Sequence, residues 1–140
     1  MLTRRSFSAC ALCAVGGFAA TEVEAQQTGQ QVTGTQTSGV TRTILSQMDI
    51  PDSKFVMVIG IAEIAAGATV ARHTHPGIES AYIIEGEGKL MIDGGQEITL
   101  KPGGHFQVPP STPHSAQFSK AAKISLSYTV GKGKPLASPA

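Results

Sequence analysis

Cysteine is almost absent from this chain of 140 residues, and its placement excludes thiol chemistry from most of the sequence. Both cysteines, Cys10 and Cys13, lie close to the start of the chain. Residues 26–140 therefore contain no thiol that could form a disulfide, bind a metal or act as a nucleophile. A disulfide framework and a cysteine-dependent enzyme are both excluded for this region.

Long apolar runs and clusters of one charge are missing as well. The apolar run from Ala9 to Ala20 has about a dozen residues, short of the roughly 20 that a membrane-spanning helix needs. The 11 basic and 10 acidic residues nearly cancel, giving a net charge of +1. Because there is no basic stripe or polybasic patch, nucleic acid and a membrane surface are not expected partners.

The start of the chain has the layout of an export signal. Two arginines precede the apolar run, and Val23-Glu24-Ala25 forms a small-residue cleavage site. Residues 1–25 are therefore predicted to be a cleaved signal peptide, which places the mature protein in the periplasm or outside the cell. The string Thr3-Arg4-Arg5-Ser6-Phe7 resembles a twin-arginine export signal, and the general secretory route is the alternative.

The rest of the chain divides into three parts by composition. Residues 26–39 are rich in Gln, Thr, Gly and Ser without hydrophobic periodicity, which predicts a flexible leader. Residues 40–130 contain short apolar segments separated by Gly and Pro turns, and no segment has convincing helical periodicity. Residues 131–140 are predicted to be a tail. The sequence thus predicts one all-β domain, a sandwich or small barrel.

Eight strands are predicted within this domain. They cover residues 55–64, 69–75, 79–85, 89–92, 96–100, 106–108, 115–118 and 123–130, with a hairpin turn at Asp93-Gly94-Gly95. A domain of this size buries a modest share of its surface, so a bound metal or a partner subunit is expected to add stability. One hypothesis pairs Thr41–Leu45 with the sheet edge of a second copy, forming a homodimer.

Three of the four histidines and one glutamate have the spacing of a metal site. His73 and His75 share one face of a strand because strand side chains alternate. After the Pro76-Gly77 turn, Glu79 can reach back toward both rings, and a Pro-rich loop delivers His114. Three neutral imidazoles and a carboxylate suit one divalent transition metal ion, which could be Mn, Fe, Ni, Cu or Zn.

These residues lie in two motifs that resemble those of the cupin superfamily. Gly67-x5-His73-x-His75-x3-Glu79-x6-Gly86 matches the first cupin motif at every fixed position. Gly103-x5-Pro109-x-Ser111-x2-His114-x3-Phe118 resembles the second, with Ser111 where the family usually has Gly and Phe118 where it usually has Asn. The resemblance covers Thr41 to Val130.

The resemblance implies a small single-domain cupin, an all-β double-stranded β-helix or jelly-roll barrel that is often dimeric. It also implies a metal held by His73, His75, Glu79 and His114. A dioxygenase-like enzyme acting on a small organic substrate is the favoured function, with Glu79 as a catalytic base. A metal-dependent isomerase or lyase and a non-catalytic module that binds a metal or small periplasmic ligand are the alternatives.

Other side chains are assigned by type and position. Tyr82 is expected to pack inside the barrel, and Arg72 is expected to be a surface charge. His105 is expected to be an exposed turn residue, and the alternative is that it carries protons near the mouth of the barrel. The residues predicted to line a pocket are Met57, Met91, Phe106, Gln107 and Phe118.

Overall fold

The computed structural model describes residues 32–140, which fold entirely from β-strands. No helix that could span a membrane occurs within this range. The predicted signal peptide, residues 1–25, and the first part of the predicted leader lie outside the described residues. The export prediction is therefore carried forward as a prediction.

Eleven strands follow one another within the described residues. They are β1 (Val32–Thr37), β2 (Val40–Asp49), β3 (Phe55–Ile64), β4 (Thr69–Thr74), β5 (Ile78–Glu85), β6 (Gly88–Ile92), β7 (Ile98–Leu100), β8 (His105–Val108), β9 (His114–Phe118), β10 (Ala122–Gly131) and β11 (Ser138–Pro139).

The strands form two antiparallel sheets that face each other. One sheet has the order β1-β2-β3-β10-β5-β8, and the other has the order β11-β4-β9-β6-β7. Buried apolar side chains from both sheets, such as Val58, Ile83, Leu90 and Phe118, fill the space between them. This all-β arrangement is a cupin jelly roll, as the sequence predicts.

Strand β10 shows why these segments become strands rather than helices. Its residues alternate strictly between buried and half-buried from Ala122 to Gly131. Ile124, Leu126 and Tyr128 point into the core, while serines and a threonine face outward. Only a pleated strand places every second residue on one face. Burying each of the two aliphatic side chains contributes about 1.5–3 kcal/mol to stability.

The segments on either side of the predicted domain are also part of the sheets. Val32–Thr37 forms β1 and pairs with β2 across a tight turn, in which Ser38 and Gly39 have positive φ. This part of the predicted leader is thus a hairpin. An edge strand is held by main-chain hydrogen bonds, so its composition need not show hydrophobic periodicity.

The predicted tail and the dimer hypothesis for the early segment also differ from the structure. Ser138–Pro139 forms β11 and pairs with β4 at Thr74 and His73. Residues 41–44 pair with β3 of the same chain as part of β2, so they do not need the sheet of a second copy. The main-chain edge of β3 is therefore covered by β2 of the same chain.

Candidate metal centre

The four predicted metal ligands come from both sheets and meet at one end of the barrel. His73 lies in β4 and is paired directly with His114, the first residue of β9. His75 follows β4 by one residue, and Glu79 lies near the start of β5 in the opposite sheet. His75, Glu79 and His114 are buried.

Two turns hold these ligands in register. A side-chain carbon at Gly77 would lie 1.8 Å from the carbonyl oxygen of Thr129, so only glycine lets the turn between His75 and Glu79 pack against β10. The Pro-rich loop before His114 is tied to the same turn, because the N–H of Ser111 donates to the carbonyl of His75 at 2.8 Å.

Ser111 itself adopts a left-handed conformation, with φ of 57°. Glycine adopts that conformation without a steric penalty, and an L-residue with a side-chain carbon does so at a cost. The cupin motif usually has glycine at this position, so the structure shows how serine occupies a glycine-type turn. The departure leaves the loop, and with it His114, in place.

All three imidazoles are oriented by backbone carbonyls. The Nδ1 atoms lie 2.7 Å from the Ala71 oxygen for His73, 2.7 Å from the Leu136 oxygen for His75, and 3.0 Å from the Thr112 oxygen for His114. A carbonyl oxygen can only accept, so each Nδ1 carries the hydrogen and donates it. This contact fixes the tautomer and leaves Nε2 free to ligate, as metal-binding histidines require.

The Nε2 atoms of His73, His75 and His114 are buried and have no hydrogen-bond partner among the described residues. Ligand atoms of the three residues all lie within 4.8 Å of one another. The Glu79 Oε2 atom is 3.3 Å from Nε2 of His75 and 3.0 Å from Nε2 of His114. A carboxylate oxygen facing an unprotonated Nε2 is an unfavourable contact between two acceptors, so either a proton on the imidazole or a metal ion between the two atoms must offset it.

The donor set therefore fits a metal. Three imidazole nitrogens and one carboxylate oxygen converge on a point inside the protein, and this combination suits divalent transition metals. The three-histidine cluster is a candidate metal-binding site, and it contains all three of the predicted histidines.

The local electrostatics agree with a site for a cation. Burial lowers the pKa of His73 to about 4, against a hydrogen bond to Ala71 that acts in the opposite direction. Burial alone would raise the pKa of Glu79, but the adjacent His114 and His75 outweigh it and hold this pKa below its usual range. Burial also opposes protonation of His114, yet Glu79 raises the pKa of His114 above 6.5. When no metal is bound, a proton on His114 can supply the positive charge beside Glu79.

Two further polar residues border this centre and have no counterpart in the sequence-based prediction. Tyr128 is fully buried on β10, its ring centroid is 4.9 Å from that of His75, and its hydroxyl has no hydrogen-bond partner among residues 32–140. Burial raises the pKa of Tyr128, so the phenol stays protonated. Arg42 on β2 has a buried Nε that also lacks a partner within the described part of the chain.

The inward phase of β10 could have identified Tyr128 from the sequence. It follows Ile124 and Leu126 at a spacing of two, so a phenol is expected among apolar inward-facing side chains. Arg42 gave no such signal, because its segment was assigned to pairing with another subunit.

The predicted pocket-lining residues divide by strand phase. Phe106 and Phe118 line the cavity between the sheets, as predicted. Met57 and Met91 point outward and are 42% and 52% exposed, and Gln107 is exposed as well, so these three predictions are wrong.

Three residues outside this cavity have clear positions. Tyr82 is 52% exposed instead of packing in the barrel, so that prediction is wrong too. His105 is exposed at the start of β8. Arg72 is on the outside of β4 and forms a bidentate ion pair with Asp93, which agrees with the predicted surface charge.

Two connected spaces give access to the centre. The lumen cavity, of about 40 Å³, lies between the sheets and is lined by apolar side chains together with Arg42, His73, Glu79 and His114. The mouth groove, of about 330 Å³, runs between the start of β2, β4 and the C-terminal segment around Ser138. Arg42 and His73 line both spaces and therefore stand where the groove meets the lumen.

Two antiparallel sheets around three converging imidazoles define a cupin-type jelly roll with a candidate metal centre. Residues 60–126 match the cupin domain family. This match, over just under half of the chain, and the structural comparisons below agree with a cupin jelly-roll fold. No curated protein matches the chain in sequence.

Several solved structures share the fold. An RmlC-like cupin from Shewanella frigidimarina is 21% identical with a TM-score of 0.60, and the match covers 74% of this chain and 87% of that one. A DMSP lyase from Ruegeria pomeroyi is 23% identical with a TM-score of 0.54, covering 62% and 44%. A salicylate 1,2-dioxygenase from Pseudoaminobacter salicylatoxidans is 18% identical with a TM-score of 0.55, covering 71% and 31%. At these identities the likeness concerns the fold.

Proposed function

We propose that this chain is a metal-dependent enzyme of dioxygenase-like type that acts on a small organic substrate. In this proposal His73, His75, Glu79 and His114 together bind one divalent transition ion, which is Mn, Fe, Ni, Cu or Zn. The observation that carries it is the set of three buried Nε2 atoms that have no hydrogen-bond partner in the described part of the chain, each on a ring whose Nδ1–H donates to a backbone carbonyl. The Glu79 carboxylate completes the donor set.

When bound, the ion supplies Lewis acidity and, if it is redox-active, reactivity toward dioxygen. The chain contributes the surroundings of the reaction. The apolar lining of the lumen cavity excludes water and strengthens electrostatic interactions at the centre. The lowered pKa of Glu79 keeps its carboxylate ionised and available as a metal ligand. To act as a base toward a substrate in the lumen, Glu79 must first leave the metal, and its low pKa makes it a weak base.

Oxygen consumption and metal analysis test this proposal together. The mature chain from residue 26 is purified, its metal content is measured by elemental analysis, and oxygen uptake is followed with flavonols, diketones and thiols. We expect about one redox-active ion per chain and uptake with one substrate class. Zinc bound by all four residues, without oxygen uptake, would instead indicate a structural or binding role.

Tyr128 favours a second candidate, a metal-dependent lyase or isomerase. Its ring lies beside that of His75, and its protonated hydroxyl, without a partner among residues 32–140, can donate a hydrogen bond to a negatively charged group formed at the centre in chemistry that consumes no oxygen. The lyase among the similar structures is compatible with this reading. Substrate turnover under strictly anaerobic conditions, reduced in Tyr128→Phe with unchanged metal content, would select this candidate over the dioxygenase.

We also propose export to the periplasm or the cell exterior. The support is the arginine pair, the apolar run and the cleavage site in residues 1–25. Replacing Arg4 and Arg5 by lysine should block export of the folded protein by the twin-arginine route. Normal appearance of the mature form outside the cytoplasm would exclude this route and favour general secretion.

A further inference from the structure

Arg42 differs from the other basic side chains of the described region because its Nε is buried, whereas Lys54, Lys101 and Lys134, which form no ion pair there either, are exposed. Arg72, Lys89, Lys120, Lys123 and Lys132 all form ion pairs with carboxylates on the protein surface. Arg42 has no ion pair among residues 32–140, and its buried Nε has no hydrogen-bond partner there. An arginine Nε–H that is withdrawn from water without an acceptor is costly, unless an acceptor binds to it.

The position of Arg42 makes it accessible to a ligand. It pairs on β2 with Ala62 of β3 and shares the inward phase of Val40, so it projects toward the space between the sheets. It lines both the mouth groove and the lumen cavity. A molecule that occupies both the groove and the lumen would therefore contact the guanidinium.

The charge of the surroundings selects the sign of that molecule. Among residues 32–140, the groove is lined by two arginines and no carboxylate, and Glu79 is the only acidic residue that lines the lumen. A divalent ion bound to Glu79 and three neutral imidazoles leaves one net positive charge, to which Arg42 adds a second. An anion is therefore favoured at the junction of groove and lumen, and a cation is disfavoured.

The dimensions limit the size of the anion. The lumen cavity, of about 40 Å³, holds little more than one or two water molecules, so it can admit only the reacting end of a substrate. The mouth groove, of about 330 Å³, is at the lower end of the range of small-molecule sites. A guanidinium binds a carboxylate with two parallel hydrogen bonds, which also fixes the orientation of the bound group.

From these observations we infer that Arg42 is the substrate-binding residue for a small organic carboxylate, which it holds at the junction between the mouth groove and the lumen cavity. The inference rests on the proposed metal-dependent function, because the histidine centre would act on the part of the molecule beyond the carboxylate. Groups of the substrate that are not charged remain in the groove.

Binding of matched carboxylate and amide probes tests the inference. Benzoate and benzamide, and pyruvate and pyruvamide, are titrated calorimetrically into the mature chain loaded with its metal, with the metal content measured in parallel. We expect at least one carboxylate to bind, and its amide to bind at least about tenfold more weakly. Arg42→Met should weaken carboxylate binding by about tenfold or more. Arg42→Lys should weaken it less, because lysine keeps the positive charge but cannot make the two parallel hydrogen bonds of a guanidinium.

Arg72→Met is the matched control. It removes an arginine from the outer part of the same groove, and its guanidinium is already engaged by Asp93. We expect a change in carboxylate affinity of less than about threefold, due to the loss of long-range attraction alone. Arg42→Lys also serves as the folding control for Arg42→Met, and both are compared with the wild type by circular dichroism.

Each outcome separates the inference from the proposed function. Two results at full metal content would overturn the role of Arg42 and leave the metal site intact. One is equal binding of carboxylate and amide, and the other is undiminished carboxylate affinity in Arg42→Met. Absence of carboxylate binding up to about 10 mM also overturns it. Arg42-dependent carboxylate binding in a chain that takes up no metal supports the anion site and rejects the proposed metal-dependent function.

Discussion

The Nδ1 atom of His75 lies 2.7 Å from the carbonyl oxygen of Leu136, although 61 positions separate the two residues along the chain. The C-terminal segment thus orients a candidate metal ligand through its main chain. Strand β11 continues this contact by pairing with β4 beside His73. The last residues of the chain therefore belong to the site as well as to the sheet.

Removing this segment should weaken metal binding more than it weakens the fold. A variant that ends at Gly133 loses the Leu136 carbonyl and β11, so the His75 ring is free to rotate and to change tautomer. Loss of such a supporting contact typically reduces metal affinity by about 10- to 100-fold. Competition with a chromogenic chelator measures the affinity, and a variant that ends at Pro139 is the control. Equal affinity in both variants would show that the Leu136 contact does not matter.

Replacing a single imidazole tests the ligand set. His75→Ala should abolish stoichiometric metal binding and retain most of the β-structure, since the sheets are held by main-chain pairing and an apolar core that excludes His75. Elemental analysis and far-ultraviolet circular dichroism give the two readouts. His105→Ala, at an exposed histidine, is the control and should bind metal normally. Unchanged metal content in His75→Ala would remove this residue from the site.

Metal affinity should fall in acid, and the titration of His114 sets the onset. Glu79 raises the pKa of His114 above 6.5, so without metal a proton is retained on His114 until the pH exceeds this raised value. Metal must displace that proton. Affinity should therefore be constant above the pKa of His114 and decrease by about tenfold per pH unit below it. Calorimetry in buffers of different ionisation enthalpy counts the released protons, and a constant affinity down to roughly pH 5 would contradict the expectation.

The same groups give the metal-free protein a defined pH dependence of stability. The raised pKa of His114 stabilises the folded state below its unfolded-state value of 6.5, and this contribution is lost as the pH rises through the higher folded-state pKa. The lowered pKa of Glu79 stabilises the folded state above 4.5, and that contribution is lost as the pH falls through the lower folded-state pKa. Both contributions are present together between these two unfolded-state values. The lowered pKa of His73 acts against them there, because its stabilising contribution is complete only above 6.5 and is lost as the pH falls toward about 4. The metal-free chain should therefore be most stable near the upper end of this window.

The sequence predicted most of the barrel because strand phase and turn residues are local signals. Phe55–Ile64 was predicted with the bounds that the structure shows, and Asp93-Gly94-Gly95 does separate two paired strands, with Gly94 at φ 76°. The three histidines were located by their spacing in a recognisable motif, and the structure brings them together. These features depend on residues close together in the sequence.

What the sequence did not reveal depends on pairing between distant segments. β1 and β11 are edge strands whose main chains are held by β2 and β4, so their own composition carries little information. Arg42 became a candidate ligand-binding residue only once β2 was placed beside β3, opposite Ala62. The errors at Met57 and Met91 have a simpler cause, since residue type was considered there without strand phase.

The turn between His75 and Glu79 should be highly sensitive to any side chain. In Gly77→Ala the added carbon would meet the Thr129 carbonyl oxygen at 1.8 Å, and backbone on both sides would have to move. We expect a loss of about 3 kcal/mol or more in the free energy of unfolding. Gly94→Ala is the control, because nothing lies near its added carbon and only its positive φ opposes the change, at about 1–2 kcal/mol. Urea denaturation of both variants compares the losses, and equal values would contradict the close approach at Gly77.

The outer face of the six-stranded sheet is where the predicted homodimer should form. Met57 and Ile59 of β3 are 42% and 41% exposed, and Ile78 and Tyr82 of β5 are 43% and 52% exposed. Between these strands, β10 presents only small hydroxyl side chains over this stretch, so a second copy could approach closely. Two exposed apolar strips on either side of a flat strand of small hydroxyl residues suit a symmetric, self-complementary interface.

A charge in the centre of that face should therefore convert a dimer to a monomer. Ile59→Lys places an ammonium in the proposed interface, and sedimentation equilibrium measures the mass of the particle in solution. Met91→Lys is the control, because Met91 is 52% exposed on the opposite sheet. We expect a dimeric wild type, a dimeric Met91→Lys variant and a monomeric Ile59→Lys variant. A monomeric wild type would reject the dimer, and a dimer disrupted only by Met91→Lys would move the interface to the five-stranded sheet.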